Sequence, residues 1–124
     1  SMKPKTYAWL RYAEADLATA TLLHRENGVP EHLLFHCQQC VEKALKAIWS
    51  ERREEEPPRT HSLPGLASTL GLTLGDTQEK LPHGLDRLYI RTRYPDEPVG
   101  EGLDLDWYLD QTREFYTWLR QQLI

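Results

Sequence analysis

No disulfide framework can be built from this chain. Its two cysteines, Cys37 and Cys40, sit three positions apart on one predicted helix, unlike the staples of a small secreted fold. No apolar run approaches the ~20 residues that span a bilayer. No basic stretch followed by an apolar one opens the sequence, so secretion is not expected and a cytoplasmic location, with no membrane partner, is. Ser1 reads as an added residue ahead of a start methionine, Met2. There is no Gly-rich phosphate loop, no HExxH and no GxSxG. No alternating stretch is bounded by hairpin signals, so neither strand nor repeat is expected. An excess of positive charge is missing as well: the net charge is −4 and the pI about 5.7. That argues against unaided, non-specific binding of nucleic acid, which needs many lysines or arginines. A local basic site is still available from Arg87, Arg91 and Arg93, with Lys43 and Lys46 elsewhere.

What is present is helical. The 124 residues are 40% hydrophobic and 27% charged, which fits one globular domain with a core that needs neither metal nor disulfide. Trp9, Ala13, Leu17 and Ala20 recur at helical spacing and predict a first helix from Lys5 to Glu26. Asn27-Gly28 stops it and Pro30 opens the second, which runs to Arg53. Its charged tail, Glu51 to Glu56, reads as solvated, and Pro57-Pro58 ends it. Ser62 caps a short third helix, Leu63 to Leu70, with Pro64 in its first turn. A fourth spans Asp76 to Arg93, weakened early by Pro82 and Gly84. The last starts near Asp104, with acidic residues at the positive end of its dipole, and runs almost to Ile124. The expectation is an all-α, up-and-down bundle of four long helices plus one short helix.

The second helix carries the most information. At ~100° per residue, Leu33, Cys37, Cys40, Val41, Ala44 and Ile48 share a core side. His36, Gln39, Glu42, Lys43 and Lys46 share the other. His36, Gln39, Lys43 and Lys46 form a ladder of imidazole, amide and ammonium groups that can line a groove for a phosphate or a base edge. The ordinary alternative is a solvated face with Glu42–Lys46 as an i,i+4 pair. Cys37-x-x-Cys40 lacks a second ligand pair for zinc, and both thiols face the core, so small buried hydrophobes are expected and no metal.

Other polar residues stand out by place. Asp16, at the edge of an apolar arc, needs a partner if buried, and Lys43 and Arg93 are the candidates. Gln38, between Leu45 and Trp49, is expected to hydrogen-bond a neighbouring helix. His61 lies in a loop after the prolines, where it can serve as acid, base or phosphate donor, or support the third helix. Arg91, Arg93 and Tyr94 close the fourth helix. Arginine forks suit phosphate and tyrosine offers a stacking face, though C-terminal cations also favour the helix dipole. Tyr108, Thr112, Phe115 and Leu119 fit a core stripe of the last helix, while Trp107 and Trp118 point elsewhere. That surplus of aromatic surface points to a partner interface, most simply a homodimer; the alternative is wrapping by the N-terminal residues.

Four segments together resemble the HEPN family: Tyr12-x-x-Ala15-Asp16-Leu17, His36-x-Gln38-Gln39-x-x-Glu42-Lys43-x-x-Lys46-Ala47, Thr60-His61-x-Leu63 and Arg93-Tyr94-Pro95-Asp96. The resemblance covers most of the chain. It implies a helical bundle, frequent dimerisation, association with nucleotides or RNA, and partnership with a minimal nucleotidyltransferase in toxin–antitoxin-like modules. No cofactor is expected. Ribonuclease branches of the family use an Arg-x4–6-His motif near the start of the last core helix. Here Arg25 and His32 have that spacing but straddle the first loop, and no histidine follows Arg87, Arg91 or Arg93, so that activity is not carried over. What carries over is a ligand site of His36, Gln39, Lys43, Lys46, His61, Arg91, Arg93 and Tyr94, with Asp16, Gln38 and Glu42 as its structural polar residues. A metal-independent ribonuclease with a non-standard site and a purely structural dimeric module are the alternatives.

Overall fold

The structure, a computed structural model, describes residues 1–91, 94 and 102–123. The side chains of Ile90 and Arg91 fall outside that description. Five helices follow one another: α1 (Pro4–Arg25), α2 (Pro30–Arg52), α3 (Leu63–Thr69), α4 (Asp76–Arg91) and α5 (Leu105–Gln121). Among the described residues there is no strand. The all-α bundle of four long helices and one short helix is borne out. The boundaries move by one or two residues, and the expected last turn of α4, to Arg93, lies outside the described residues.

Local chemistry fixes the helix ends. Pro4 and Pro30 open α1 and α2, where a missing N–H costs nothing. Lys3 gives α1 no side-chain cap. Glu51, at the far end of α2, supplies one instead, accepting the Lys3 N–H at 3.0 Å and the Thr6 hydroxyl at 2.8 Å. Those bonds hold the Glu51 carboxyl below its usual range. Glu51 is thus not part of a solvated tail, whereas Glu54, Glu55 and Glu56 are exposed. Ser62 accepts from the Gly65 N–H, and Asp104 from the Trp107 N–H, as N-caps. Asn27 takes a left-handed φ of 54° to end α1, and the Gly28 N–H returns to the Leu23 carbonyl at 2.7 Å.

Pairings across the bundle set its directions. Thr6 meets Glu51, and Asp16 meets Lys43, so α1 and α2 run antiparallel. Glu14 meets Tyr116 and Arg120, Thr21 meets Arg113, and His24 meets Asp106, so α5 runs antiparallel to α1. The central helix is α2. Its expected core residues Leu33, Cys37, Cys40, Val41, Ala44 and Ile48 are all buried. So are Tyr108, Thr112, Phe115 and Leu119 of α5. Pro82 and Gly84 do not break α4. Gly84 lets α5 approach, since a Cβ there would stand 2.8 Å from the Tyr108 hydroxyl.

Two expectations need correction. The polar stripe of α2 is not a solvated face. Glu42 and Lys46 are buried, because the indole of Trp9 on α1 covers Lys46 and the loop before α3 covers Glu42. Trp107 and Trp118 do not form an exposed surplus on α5. Both pack against the core, edge-on to Tyr108 and Phe115.

Candidate functional site

Two carboxylates organise the polar stripe. Asp16, buried on α1, is shared between two α2 side chains that lie about two turns apart along that helix. Its Oδ1 lies 2.7 Å from His36 Nδ1 and its Oδ2 2.6 Å from Lys43 Nζ. Lys43 fulfils the expectation made for Asp16. His36 is a second partner that the wheel did not single out, and Arg93 lies outside the described residues.

Glu42 repeats the arrangement. Its Oε1 lies 2.8 Å from His61 Nδ1, and its Oε2 accepts from Lys46 Nζ at 3.0 Å. The Gln38 amide donates to the same Oε1 at 3.2 Å and to the His61 carbonyl at 3.1 Å. Gln38 therefore ties α2 to the loop before α3, and not to a neighbouring helix as its position predicted. Gln39, half-buried, donates to Gln38 Oε1 at 2.8 Å and so joins the Glu42 cluster.

A carboxylate can only accept, so each imidazole donates its Nδ1–H. Nε2 is then the outer nitrogen of each ring, a lone pair when the ring is neutral and a second donor when it is protonated. Among the described residues neither Nε2 has a partner. The His61 side chain is 54% exposed and that of His36 28%, so both rings are within reach of a solute. The lysines are held more tightly. Lys43 is 24% exposed with its ammonium 5.8 Å from the Tyr12 ring centroid; Lys46 is 9% exposed and 5.7 Å from that of Trp9. Both are cation–π distances. Rings extend the face. His61 tilts over Tyr89 at 5.3 Å, Tyr89 stacks on Phe35 at 6.1 Å, and Phe35 meets His36 edge-on at 5.3 Å.

The structure thus gathers His36 and Lys43 around Asp16, and Gln38, Gln39, Lys46 and His61 around Glu42, two clusters joined through the rings of Phe35 and Tyr89. Two carboxylates balance two ammonium groups, so any protonated imidazole adds net positive charge to the face. Tyr94 is exposed; Arg91 ends α4 with its side chain outside the described residues, and Arg93 lies outside them altogether. The sequence reading gave no place at the site to Phe35, Tyr89, Trp9 or Tyr12. Their signal was present as aromatic residues at the margins of apolar arcs, but nothing in a single helix shows which cation each will meet.

Among the described residues no group of three or more His, Cys, Asp or Glu could hold a metal. Cys37 and Cys40 are free and buried. Burial pushes the Cys37 thiol up to about 11 and raises that of Cys40 well above its ordinary value, as expected of core hydrophobes.

The HEPN domain family matches residues 6–122. Two crystal structures have the same fold. TT1696 from Thermus thermophilus superposes with a TM-score of 0.82 at 25% identity, covering 98% of this chain and 100% of that one. An archaeal HEPN homologue superposes with a TM-score of 0.72 at 27% identity, covering 96% and 98%. No protein of curated function matches the chain by sequence.

Proposed function

The chain belongs to the HEPN domain family, and on that premise we propose that it is a binding module for a phosphate-bearing ligand, a nucleotide or RNA. The ligand meets the network on α2. The observation that carries this is the pair of carboxylate-held imidazoles, His36 on Asp16 and His61 on Glu42, each sharing its carboxylate with a lysine and each with an Nε2 that no described residue meets. Such groups donate to phosphate oxygens when protonated, and the lysines add charge nearby. The half-buried Phe35 ring beside His36 gives a base something apolar to lie against. Arg91, Arg93 and Tyr94 complete the ligand set. The module works as a homodimer beside a minimal nucleotidyltransferase, in a toxin–antitoxin-like pair; support for that part comes from the family alone.

Calorimetric titration with ATP, GTP and a short single-stranded RNA tests the reading. At least one is expected to bind, and Lys43→Ala and His61→Ala each to weaken it by roughly tenfold. Silence with all three, with the protein alone and with a neighbouring nucleotidyltransferase, removes the proposal.

A second reading is favoured by the same two rings. Paired imidazoles can serve as base and acid in metal-independent cleavage of RNA. RNA left intact after long incubation with concentrated protein in chelator would exclude it.

A further inference from the structure

Four of the five large apolar side chains that stand exposed among the described residues, Tyr7, Tyr12, Leu22 and Val29, belong to α1 or the turn after it. The bundle takes the opposite side of this helix, through Thr6, Leu10, Ala13, Asp16 and Ala20. At ~100° per residue, Tyr7, Arg11, Ala15, Ala18 and Leu22 form one outward strip, and every one of them is exposed. Glu26 and Val29, also exposed, continue it past the helix end. The strip is uncharged between Arg11 and Glu26 and carries large apolar side chains at Tyr7, Leu22 and Val29.

We propose that this strip of α1 is the face on which a second copy of the chain docks, helix against helix and antiparallel. The inference rests on the homodimer reading given above and adds the surface. Self-complementarity selects the occupant. With the two-fold axis beside Ala18, the Leu22 side chain of each copy falls opposite the small Ala15 of the other. Arg11 falls opposite Glu26, and Tyr7 beside Val29. Large meets small and base meets acid, twice over, as a two-fold interface requires. Arg11 has no ion pair within its own chain among the described residues; its guanidinium only lies near the Tyr12 ring, at 5.9 Å. Among the described residues the Glu26 side chain meets its chain neighbour Arg25, at 3.4 Å. Both of those side chains are largely exposed, and such a contact is weak enough to yield to a better partner. Arg25, which lines a shallow hollow with Ala18 and Leu22 of the strip, falls opposite Tyr12 of the other copy in this register, where its guanidinium meets a ring and not Arg11.

One helix of ~33 Å per copy places this interface at the small end of the stable range, so the dimer is concentration-dependent. Tyr12 sits on the flank of the strip toward Lys43.

Sedimentation equilibrium from roughly 10 to roughly 200 µM decides the matter. The wild-type chain is expected to dimerise across that range. Arg11→Glu is expected to weaken the dimer by roughly tenfold or more, and Arg11→Glu combined with Glu26→Arg to restore it. Ala18→Cys is expected to form an intermolecular disulfide under mild oxidation, since the native thiols are buried. Arg11, Ala18 and Glu26 are all exposed, so circular dichroism should show unchanged helix content. A chain that stays monomeric throughout overturns both the face and the dimer. A dimer that ignores the charge swap, and that the Ala18→Cys variant fails to cross-link, overturns the face alone.

Discussion

Glu42, in the buried middle of α2, holds the imidazole of His61 at 2.8 Å although 19 positions of chain separate them. The same carboxylate neutralises Lys46, one turn along its own helix. One acidic side chain therefore fixes both a cation inside the fold and a ring at its surface. Its position between the two is what connects the packing of the bundle to its chemistry.

Removing that carboxylate is expected to be costly. Glu42→Ala leaves Lys46 buried with no counter-charge and Gln38 short of an acceptor, at a cost of about 3–5 kcal/mol. Replacing both members of the pair, as in Glu42→Leu with Lys46→Met, should recover most of the loss, because matched apolar groups avoid the desolvation that an unpaired charge suffers. Urea unfolding of the two single variants and the double one checks this. Additive losses would show that the two residues are not coupled.

Much of this fold was legible in the sequence, and for identifiable reasons. Leu33, Cys37, Cys40, Val41, Ala44 and Ile48 repeat at helical spacing, and Pro30, Ser62 and Asp104 announce helix starts through local chemistry alone. The polar stripe was also visible: the wheel placed His36, Gln39, Glu42, Lys43 and Lys46 together. What the wheel could not show was what covers them. Lys46 is buried by Trp9, which comes from a different helix, and Glu42 by a loop whose own hydrogen bonds come from Gln38. Such contacts depend on how α1 and the loop before α3 dock, and helical period says nothing about docking. Trp118 was misplaced for the same cause: a ring outside the main stripe of α5 still finds the edge of Phe115.

The buried thiols give the fold an alkaline limit. Cys37 has a folded pKa pushed up to about 11 from an ordinary 9.0, mainly by burial. The folded chain therefore keeps a proton that the unfolded chain gives up. Its stability is unaffected below about pH 9 and falls between there and about pH 11, by up to roughly 2–3 kcal/mol from this thiol. Stability measured across that window in the wild type and in Cys37→Ala is expected to show a flatter slope in the variant. At about pH 8, below the ordinary thiol pKa, iodoacetamide should label both cysteines only when the chain opens; rapid labelling of the native protein would contradict their burial.

Gly84 carries a steric role. An alanine Cβ there would press on the Tyr108 ring, with the hydroxyl at 2.8 Å and a ring carbon at 3.2 Å. Helix propensity favours alanine by about 1 kcal/mol, whereas overpacking costs about 1–3 kcal/mol. The clash is against a stiff ring held in the core, so Gly84→Ala is expected to lower stability by about 1 kcal/mol. A thermal melt reads the sign directly, and a rise in Tm would mean that α5 yields.

The claim at the centre is that His36 and His61 present their outer nitrogens to a phosphate-bearing ligand. Nitrogen-15 NMR of the imidazole rings tests it most directly, because it observes each histidine separately. On addition of ATP, GTP or a short RNA, the Nε2 signals of His36 and His61 are expected to move while those of His24, His32 and His83 stay in place. Unmoved His36 and His61 resonances at saturating ligand, or shifts confined to the other three rings, would contradict it.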